Sequence, residues 1–233
     1  MSLSGLLPEL WVLLPLSVAS GLDLYLTMAF LGGATFLGWD ATPPGGLVGL
    51  THPLVVALAA AFYGLEALAE RSLPTSLAWN ALHVIVRPLT AALLALLLLD
   101  QLPFATRTAG AVVAGAVSLG THAFRVGGSL ILWLRGARTR TRILATGVED
   151  AMTLALCALL LDHPAAATGL GAALLVGGLT QARAYLHAFD FGLRAAWGRV
   201  RGALRPGRWR SESEIPVWVR RAVCERAEET VIH

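Results

Sequence analysis

Charged side chains interrupt the long apolar segments of this chain. Six of them carry the chemical interest, namely Asp23, Glu66, Arg87, Arg125, Glu149 and Asp150. An ionised group near a bilayer centre costs about 2.5 to 3.5 kcal/mol on insertion scales, so such groups face one another or a wet cavity. His83 and His122 lie in the same segments, and an imidazole titrates near neutral pH. These residue types favour binding or passage of a proton, a cation or a small polar solute.

The polar residues of each segment recur at helical spacing. Positions three, four and seven apart lie on one face of a helix. Most of the polar residues meet this condition: Ser20, Asp23 and Thr27; Tyr63, Glu66 and Glu70; Asn80, His83 and Arg87; Ser118, Thr121, His122, Arg125 and Ser129; Glu149, Asp150 and Thr153. A helical bundle that turns these faces inward has a polar core.

Two ion pairs are expected from the positions of these charges. Glu66 and Arg87 flank one predicted turn at similar depth, which predicts that they are in contact. Arg125 and the acidic pair flank a later loop, which predicts contact of Arg125 with Glu149 or Asp150. One interpretation is structural, because buried ion pairs can specify packing. The other is a gate, a coupling site or a ligand contact.

Asp23 and the two histidines also allow two interpretations each. Asp23 follows Ser20 and Gly21, where a helix could break and hold an ion through a carboxylate and free backbone groups. Alternatively, Asp23 caps the N-terminus of a crossing helix. His83 and His122 fit either a proton relay or hydrogen-bonded packing.

Composition indicates which elements must position these residues. Hydrophobic residues make up 56% of the 233 residues, charged residues 14%, and the mean hydropathy is +0.66. Such a chain is a polytopic membrane protein rather than a soluble domain. A crossing helix needs about 20 mainly apolar residues, and about six segments qualify: 10–39, 53–69, 81–99, 109–134, 148–161 and 166–188. The predicted fold is an all-α transmembrane helix bundle.

The first segment is too long for one span. Pro15, Ser20 and Gly21 predict two pieces, a tilted or interfacial helix and then a crossing helix from Leu22 onward. Internal similarity is weak: Gly21 and Asp23 can be set against Gly120 and His122, which would make two inverted three-helix halves. The sequence does not decide between an inverted repeat and a chance similarity.

Arginine placement predicts domains and orientation. Residues 1–190 form the membrane domain, and residues 191–233 form a short basic amphipathic tail with nine arginines against five acids. The segment 135–142 is the most basic short loop, which places it in the cytoplasm. With six crossings, both termini are then cytoplasmic. The composition indicates a GC-rich bacterial genome, and hence the inner membrane.

The partners expected from the sequence are lipids. The tail is suited to anionic lipid head groups, and no pattern typical of a nucleic-acid-binding module is present. Gly169, Ala173 and Gly177 permit close helix packing, within one chain or in a homo-oligomer. No enzyme signature, cofactor motif or clustered Cys and His set occurs, so we expect neither an enzyme nor a bound cofactor, and a metal site stays undetermined.

Several short motifs together resemble the DUF4126 family of bacterial integral membrane proteins. They are residues 19–27 (ASGLDLYLT), Glu66 ahead of Pro74, His83 with Arg87 and Pro88, and the Glu149 and Asp150 pair. The resemblance covers most of residues 10–190. The resemblance implies a membrane fold and points to the same candidate site residues. It implies no activity, because the family has no assigned one.

The sequence as a whole predicts a small inner-membrane transporter or channel-like permease. Its polar core would bind a cation, a proton or a small polar solute through Asp23, Glu66 and Glu149 or Asp150, with Arg87 and Arg125 balancing the acids. The alternative is a non-transporting scaffold or lipid-handling protein whose ion pairs are structural.

Overall fold

The protein is helical throughout the part that the structure, a computed structural model, describes: residues 7–39 and 43–203. Side chains are described for residues 11–39 and 43–197. The helices are α1 (Leu7–Leu22), α2 (Leu24–Gly33), α3 (Pro53–Ala69), α4 (Leu73–Leu98), α5 (Phe104–Leu134), α6 (Thr139–Asp162), α7 (Pro164–Thr180) and α8 (Ala182–Ala203), with short 3-10 helices at Ala34–Leu37 and Gly45–Thr51. The all-α prediction is confirmed for these residues.

Three helices, α4, α5 and α6, are long and apolar enough to cross a membrane. Two bent pairs could each add one span: the 3-10 helix Gly45–Thr51 with α3, bent by 76°, and α7 with α8, bent by 78°. The described residues therefore provide three to five spans, and the predicted count of six is not confirmed. The predicted segment 166–188 is interrupted between α7 and α8, at Gln181.

The predicted break in the first segment is present, and it lies at Asp23. This residue has an extended backbone, with φ −145° and ψ 101°, between α1 and α2. Pro15 lies inside α1 without ending it. The sequence therefore predicted correctly that the segment consists of two pieces.

The direction of α2 differs from the sequence expectation. The hydroxyl of Thr168, early in α7, donates to the carbonyl of Trp11 at 2.5 Å. The indole of Trp39, after α2, donates to the carboxylate of Asp162 at 3.0 Å. Asp162 and Thr168 flank the junction of α6 and α7, so both outer ends of the α1–α2 unit lie at that end of the bundle.

The α1–α2 unit is therefore a helical hairpin whose tip is at Asp23, in the interior. At the tip, Gly21 packs so tightly on α5 that a Cβ there would lie 2.6 Å from the carbonyl oxygen of Ser118. We call the end of the bundle at segment 135–142 the basic end. The start of α1 lies at the opposite end, because α6 runs from the basic end to its junction with α7.

Two sequence expectations are corrected by this arrangement. The first helix is not interfacial, because α1 packs against α4, α5, α6 and α7 and its side chains form much of the core. The second piece does not cross the bundle, because α2 returns to the end where α1 began. The predicted N-terminus on the side of segment 135–142 falls on residues outside the described part, but α1 begins at the other end.

The suggested inverted halves gain no support. The hairpin is broken at Asp23, whereas α5 is continuous through the matched residues Gly120 and His122. In the tail, α8 covers the predicted amphipathic segment as far as Ala203. A second tail helix, predicted from about residue 215 to 229, lies outside the described residues.

Candidate functional site: a buried charge network at the hairpin tip

Arg87 in α4 holds the tip of the hairpin. Its Nη1 donates to the carbonyl of Gly21 at 2.7 Å and to that of Leu22 at 2.5 Å. These carbonyls end α1 and lack their usual helical donors, because the chain leaves the helix at Asp23. A cation at the C-terminal end of a helix also interacts favourably with the helix dipole. The fully buried guanidinium therefore supplies hydrogen bonds that the break removed.

Asp23 stabilises the other side of the same break. Its Oδ1 accepts a hydrogen bond from the backbone N–H of Leu26 at 2.9 Å, so the side chain caps α2. The prediction that Asp23 caps a helix is thereby confirmed, although the capped helix α2 does not cross the bundle, and the break that the other interpretation needs is also present. Asp23 is only 2% exposed, and it forms no salt bridge with any described residue. Its carboxylate is a buried charge without a cationic partner in contact.

Glu66 of α3 is shared by two arginines. Its Oε1 accepts from Nη2 of Arg87 in a close contact and from Nη1 of Arg125 at 3.0 Å. The other carboxylate oxygen, Oε2, is buried and has no hydrogen-bond partner among the described residues. The predicted pair of Glu66 and Arg87 is confirmed, and the second arginine joins the two predicted pairs into one network.

Arg125 of α5 connects three acids. Besides Glu66, it binds Glu70 through Nη2 at 2.6 Å and Glu149 through Nε at 3.0 Å. Of the two predicted partners in α6, Glu149 is the one in contact. The sequence did not predict Glu70 as a partner, although its position one turn after Glu66 put it on the same face.

Asp150 lies apart from the arginines. Its Oδ2 accepts a hydrogen bond from the hydroxyl of Tyr63 at 2.8 Å. The alternative pairing of Arg125 with Asp150 is therefore wrong. Among the described residues, Asp150 has no salt bridge, so its charge is available to a cationic group.

The two histidines are hydrogen-bonded within the bundle. His83 lies between the hydroxyl of Tyr25, 2.8 Å from Nε2, and the carbonyl of Trp79, 2.7 Å from Nδ1. This pattern assigns the proton to Nδ1, which donates to the carbonyl, while Nε2 accepts from tyrosine. His122 Nε2 lies 3.2 Å from the carbonyl of Asn80. Nδ1 of His122 is buried and receives no hydrogen bond from, and donates none to, the part of the chain that the structure describes. The geometry fits packing, and a proton relay stays a prediction.

Acids outnumber bases in this region. Arg87 and Arg125 form ion pairs with three carboxylates, those of Glu66, Glu70 and Glu149. Two further carboxylates nearby, those of Asp23 and Asp150, form no salt bridge with a described residue. No group of three or more His, Cys, Asp or Glu residues in the described part of the chain is arranged to hold a metal ion. Uncompensated buried charge is costly. The excess therefore favours uptake of a proton or of a cationic group.

An open cavity reaches this network from the basic end. It has a volume of about 670 Å³ and is lined by α3, the turn after it and the first turns of α6. Its wall residues are Ala67, Glu70, Arg71, Thr139, Arg142, Ile143, Thr146, Gly147 and Asp150. A solute that enters here meets Glu70, which binds Arg125, and Asp150.

The fold and the site together define a helical, membrane-type protein with a charged interior. The chain belongs to the DUF4126 family, a domain of unknown function, whose sequence profile matches residues 10–184. The matched region includes the hairpin from residue 10 onward, every member of the charge network and the cavity. No curated protein and no solved structure shows detectable similarity to the chain.

Proposed function

We propose that the protein is a small bacterial inner-membrane transporter or channel-like permease. The observation that carries this proposal is the acid-rich charge network at the tip of a helical hairpin that ends inside the bundle. Backbone that leaves helical geometry at membrane depth is tolerated only where it is buried in protein or lines a cavity. Broken helices of this kind are a recurring way for transporters to hold ions and substrates near the bilayer midplane.

In the proposed orientation the basic end faces the cytoplasm, as the arginines of segment 135–142 favour. The hairpin then enters from the outer face as a re-entrant element, and the cavity at Glu70 and Asp150 opens to the cytoplasm. In this orientation, the hairpin tip at Asp23 lies between the outer face and the cytoplasmic cavity. The proposal involves no chemical conversion of the solute, and it keeps the basic tail as a contact with anionic lipid head groups.

The charge of Asp23 is expected to be required for transport. Asparagine is as good an N-cap as aspartate, so Asp23→Asn should keep the bond to the Leu26 amide while it removes the charge. We expect Asp23→Asn to abolish flux of the transported ion or solute in proteoliposomes, and to change the thermal unfolding temperature little. The measurement is flux across pH and a panel of cations, anions and neutral solutes.

Asp23→Ala separates the cap from the charge. Loss of a capping side chain costs about 0.5 to 2 kcal/mol, so this variant should lose both stability and flux. If Asp23→Asn transports at the wild-type rate, the proposed role of Asp23 is wrong. Absence of any flux by the well-folded wild type under every condition would instead favour the scaffold alternative, in which the network serves packing alone.

The hairpin itself is testable by labelling single cysteines. In a background with Cys157 and Cys224 replaced, we expect Trp11→Cys and Leu37→Cys to react from outside intact cells with a membrane-impermeant maleimide. Both positions are exposed, by 43% and 74%, and both belong to the end of the bundle opposite segment 135–142. Arg140→Cys should react only after the cells are permeabilised. Labelling of Trp11→Cys and Leu37→Cys from opposite sides would show a crossing helix and contradict the hairpin.

A further inference from the structure

We propose that the cavity between α3 and α6 binds a small zwitterionic solute, which carries one anionic and one cationic group. This inference rests on the proposed function and names the class of substrate. The cavity has charged groups of both signs in its wall, the arginines Arg71 and Arg142 and the carboxylates Glu70 and Asp150.

The anionic group of the solute would bind to Arg142 and Arg71. The guanidinium of Arg142 stacks on the ring of Trp133, 3.2 Å from the ring centroid, which fixes its position. Among the described residues, Nε and Nη1 of Arg142 have no hydrogen-bond partner and are shielded from solvent, and Nη2 makes one long contact, with the hydroxyl of Thr139 at 3.5 Å. Neither arginine forms an ion pair with a described residue. Both guanidinium groups line the cavity, so a carboxylate or phosphate there would neutralise their positive charge.

The cationic group of the solute would bind to Asp150. This carboxylate is half-buried, lines the cavity and accepts a hydrogen bond from Tyr63, and no described residue is its cationic partner. Glu70, also in the wall, already forms an ion pair with Arg125. An ammonium group beside Asp150 would supply the missing positive charge.

A purely anionic or purely cationic solute fits the cavity less well. An anion drawn to the arginines would meet the uncompensated charge of Asp150, and a cation drawn to Asp150 would leave the positive charges of Arg71 and Arg142 uncompensated. Unpaired polar groups of this kind are what a binding site uses to reject the wrong ligand. The volume of about 670 Å³ lies in the range of small-molecule sites.

The spacing of the two binding groups selects among zwitterions. Arg142 and Asp150 lie eight residues apart on α6, a rise of about 12 Å along the helix axis. A solute whose charges are separated by several bonds spans this distance better than an α-amino acid with adjacent charges. We therefore expect 6-aminohexanoate to bind more tightly than glycine.

The experiment is a calorimetric titration of the purified full-length protein in detergent with 6-aminohexanoate, glycine, acetate, butylamine and inorganic phosphate. We expect 6-aminohexanoate to bind most tightly. Arg142→Gln and Asp150→Asn should each weaken its binding by about tenfold or more, as expected when one charged contact is lost. The asparagine side chain of the second variant can still accept the hydrogen bond of Tyr63, so that the charge alone is removed.

Matched control variants exclude a general charge effect. Arg140→Gln removes an exposed arginine near the start of α6 that does not line the cavity. Asp190→Asn removes an exposed acid that pairs with Arg194 on α8. Both should bind 6-aminohexanoate as the wild type does. If Arg142→Gln shows no thermal unfolding transition and is therefore not folded, Arg71→Gln is measured instead.

Two outcomes would overturn the inference. One is binding of acetate or phosphate as tight as that of 6-aminohexanoate and insensitive to Asp150→Asn, which would indicate a simple anion site. The other is no binding of any zwitterion. If flux requires Asp23 but no zwitterion binds, the transporter proposal stands and only this inference is refuted. Charge-dependent zwitterion binding without flux would support the site and contradict transport.

Discussion

Replacement of Glu66 by alanine is expected to lower the free energy of unfolding by about 3 to 5 kcal/mol, because removal of one partner of a buried ion pair leaves uncompensated charge. Two buried arginines, Arg87 and Arg125, share the single oxygen Oε1 of Glu66. Glu66 is 2% exposed, so water does not replace the lost carboxylate. The measurement is denaturant unfolding of the purified protein in detergent micelles.

The matched control for this prediction is Glu70→Ala. Glu70 also binds Arg125, but its side chain is 19% exposed and contacts one arginine rather than two. We expect a clearly smaller loss, since solvent screens a partly exposed pair. A loss below about 1 kcal/mol for Glu66→Ala, the value typical of a surface pair, would show that the network does not stabilise the bundle.

Replacement of Arg87 by methionine is expected to open the hairpin. Methionine keeps much of the side-chain volume but donates no hydrogen bond, so the carbonyls of Gly21 and Leu22 lose their donor. Each buried carbonyl left unsatisfied costs about 1 to 3 kcal/mol. We expect faster amide hydrogen exchange in residues 23–28, where the Leu26 amide is bound to Asp23. Amides in the middle of α5 should exchange as in the wild type.

Arg107→Met is the control for this effect. Arg107 also donates to a backbone carbonyl, that of Leu96, but only through one long contact of 3.4 Å. Its loss should leave exchange in residues 23–28 unchanged. Equal protection of these amides in Arg87→Met and the wild type would mean that packing alone, such as that of Gly21 on Ser118, holds the tip in place.

The contacts of Arg87 also indicate what role it has if the protein is a transporter. Nη1 and Nη2 of Arg87 are occupied by the hairpin carbonyls and Glu66, so we regard it as a positioning residue. Asp23 and Asp150, by contrast, are carboxylates without a salt bridge to a described residue. If the protein moves a cationic group, these two carboxylates have binding capacity that the described ion pairs do not use.

The sequence alone determined the class of protein and the composition of the charged core. Composition and segment length indicate membrane helices because a bilayer requires long apolar stretches. Helical periodicity places Glu66, Arg87, Arg125 and Glu149 on inward faces, and the opposite signs predict the contacts that the structure shows. The break near Asp23 was also predictable, because it depends on local residue types.

Tertiary structure alone decided the path of the chain after the break and the sharing of charges. Periodicity describes one helix at a time, whereas the direction of α2 depends on the backbone angles of Asp23 and on the packing of its neighbours. Contact of Gly21 with α5 and of Trp39 with Asp162 makes the unit a hairpin instead of a crossing helix. Likewise, similar depth cannot specify which of Glu149 and Asp150 reaches Arg125, because adjacent residues on a helix point in directions about 100° apart.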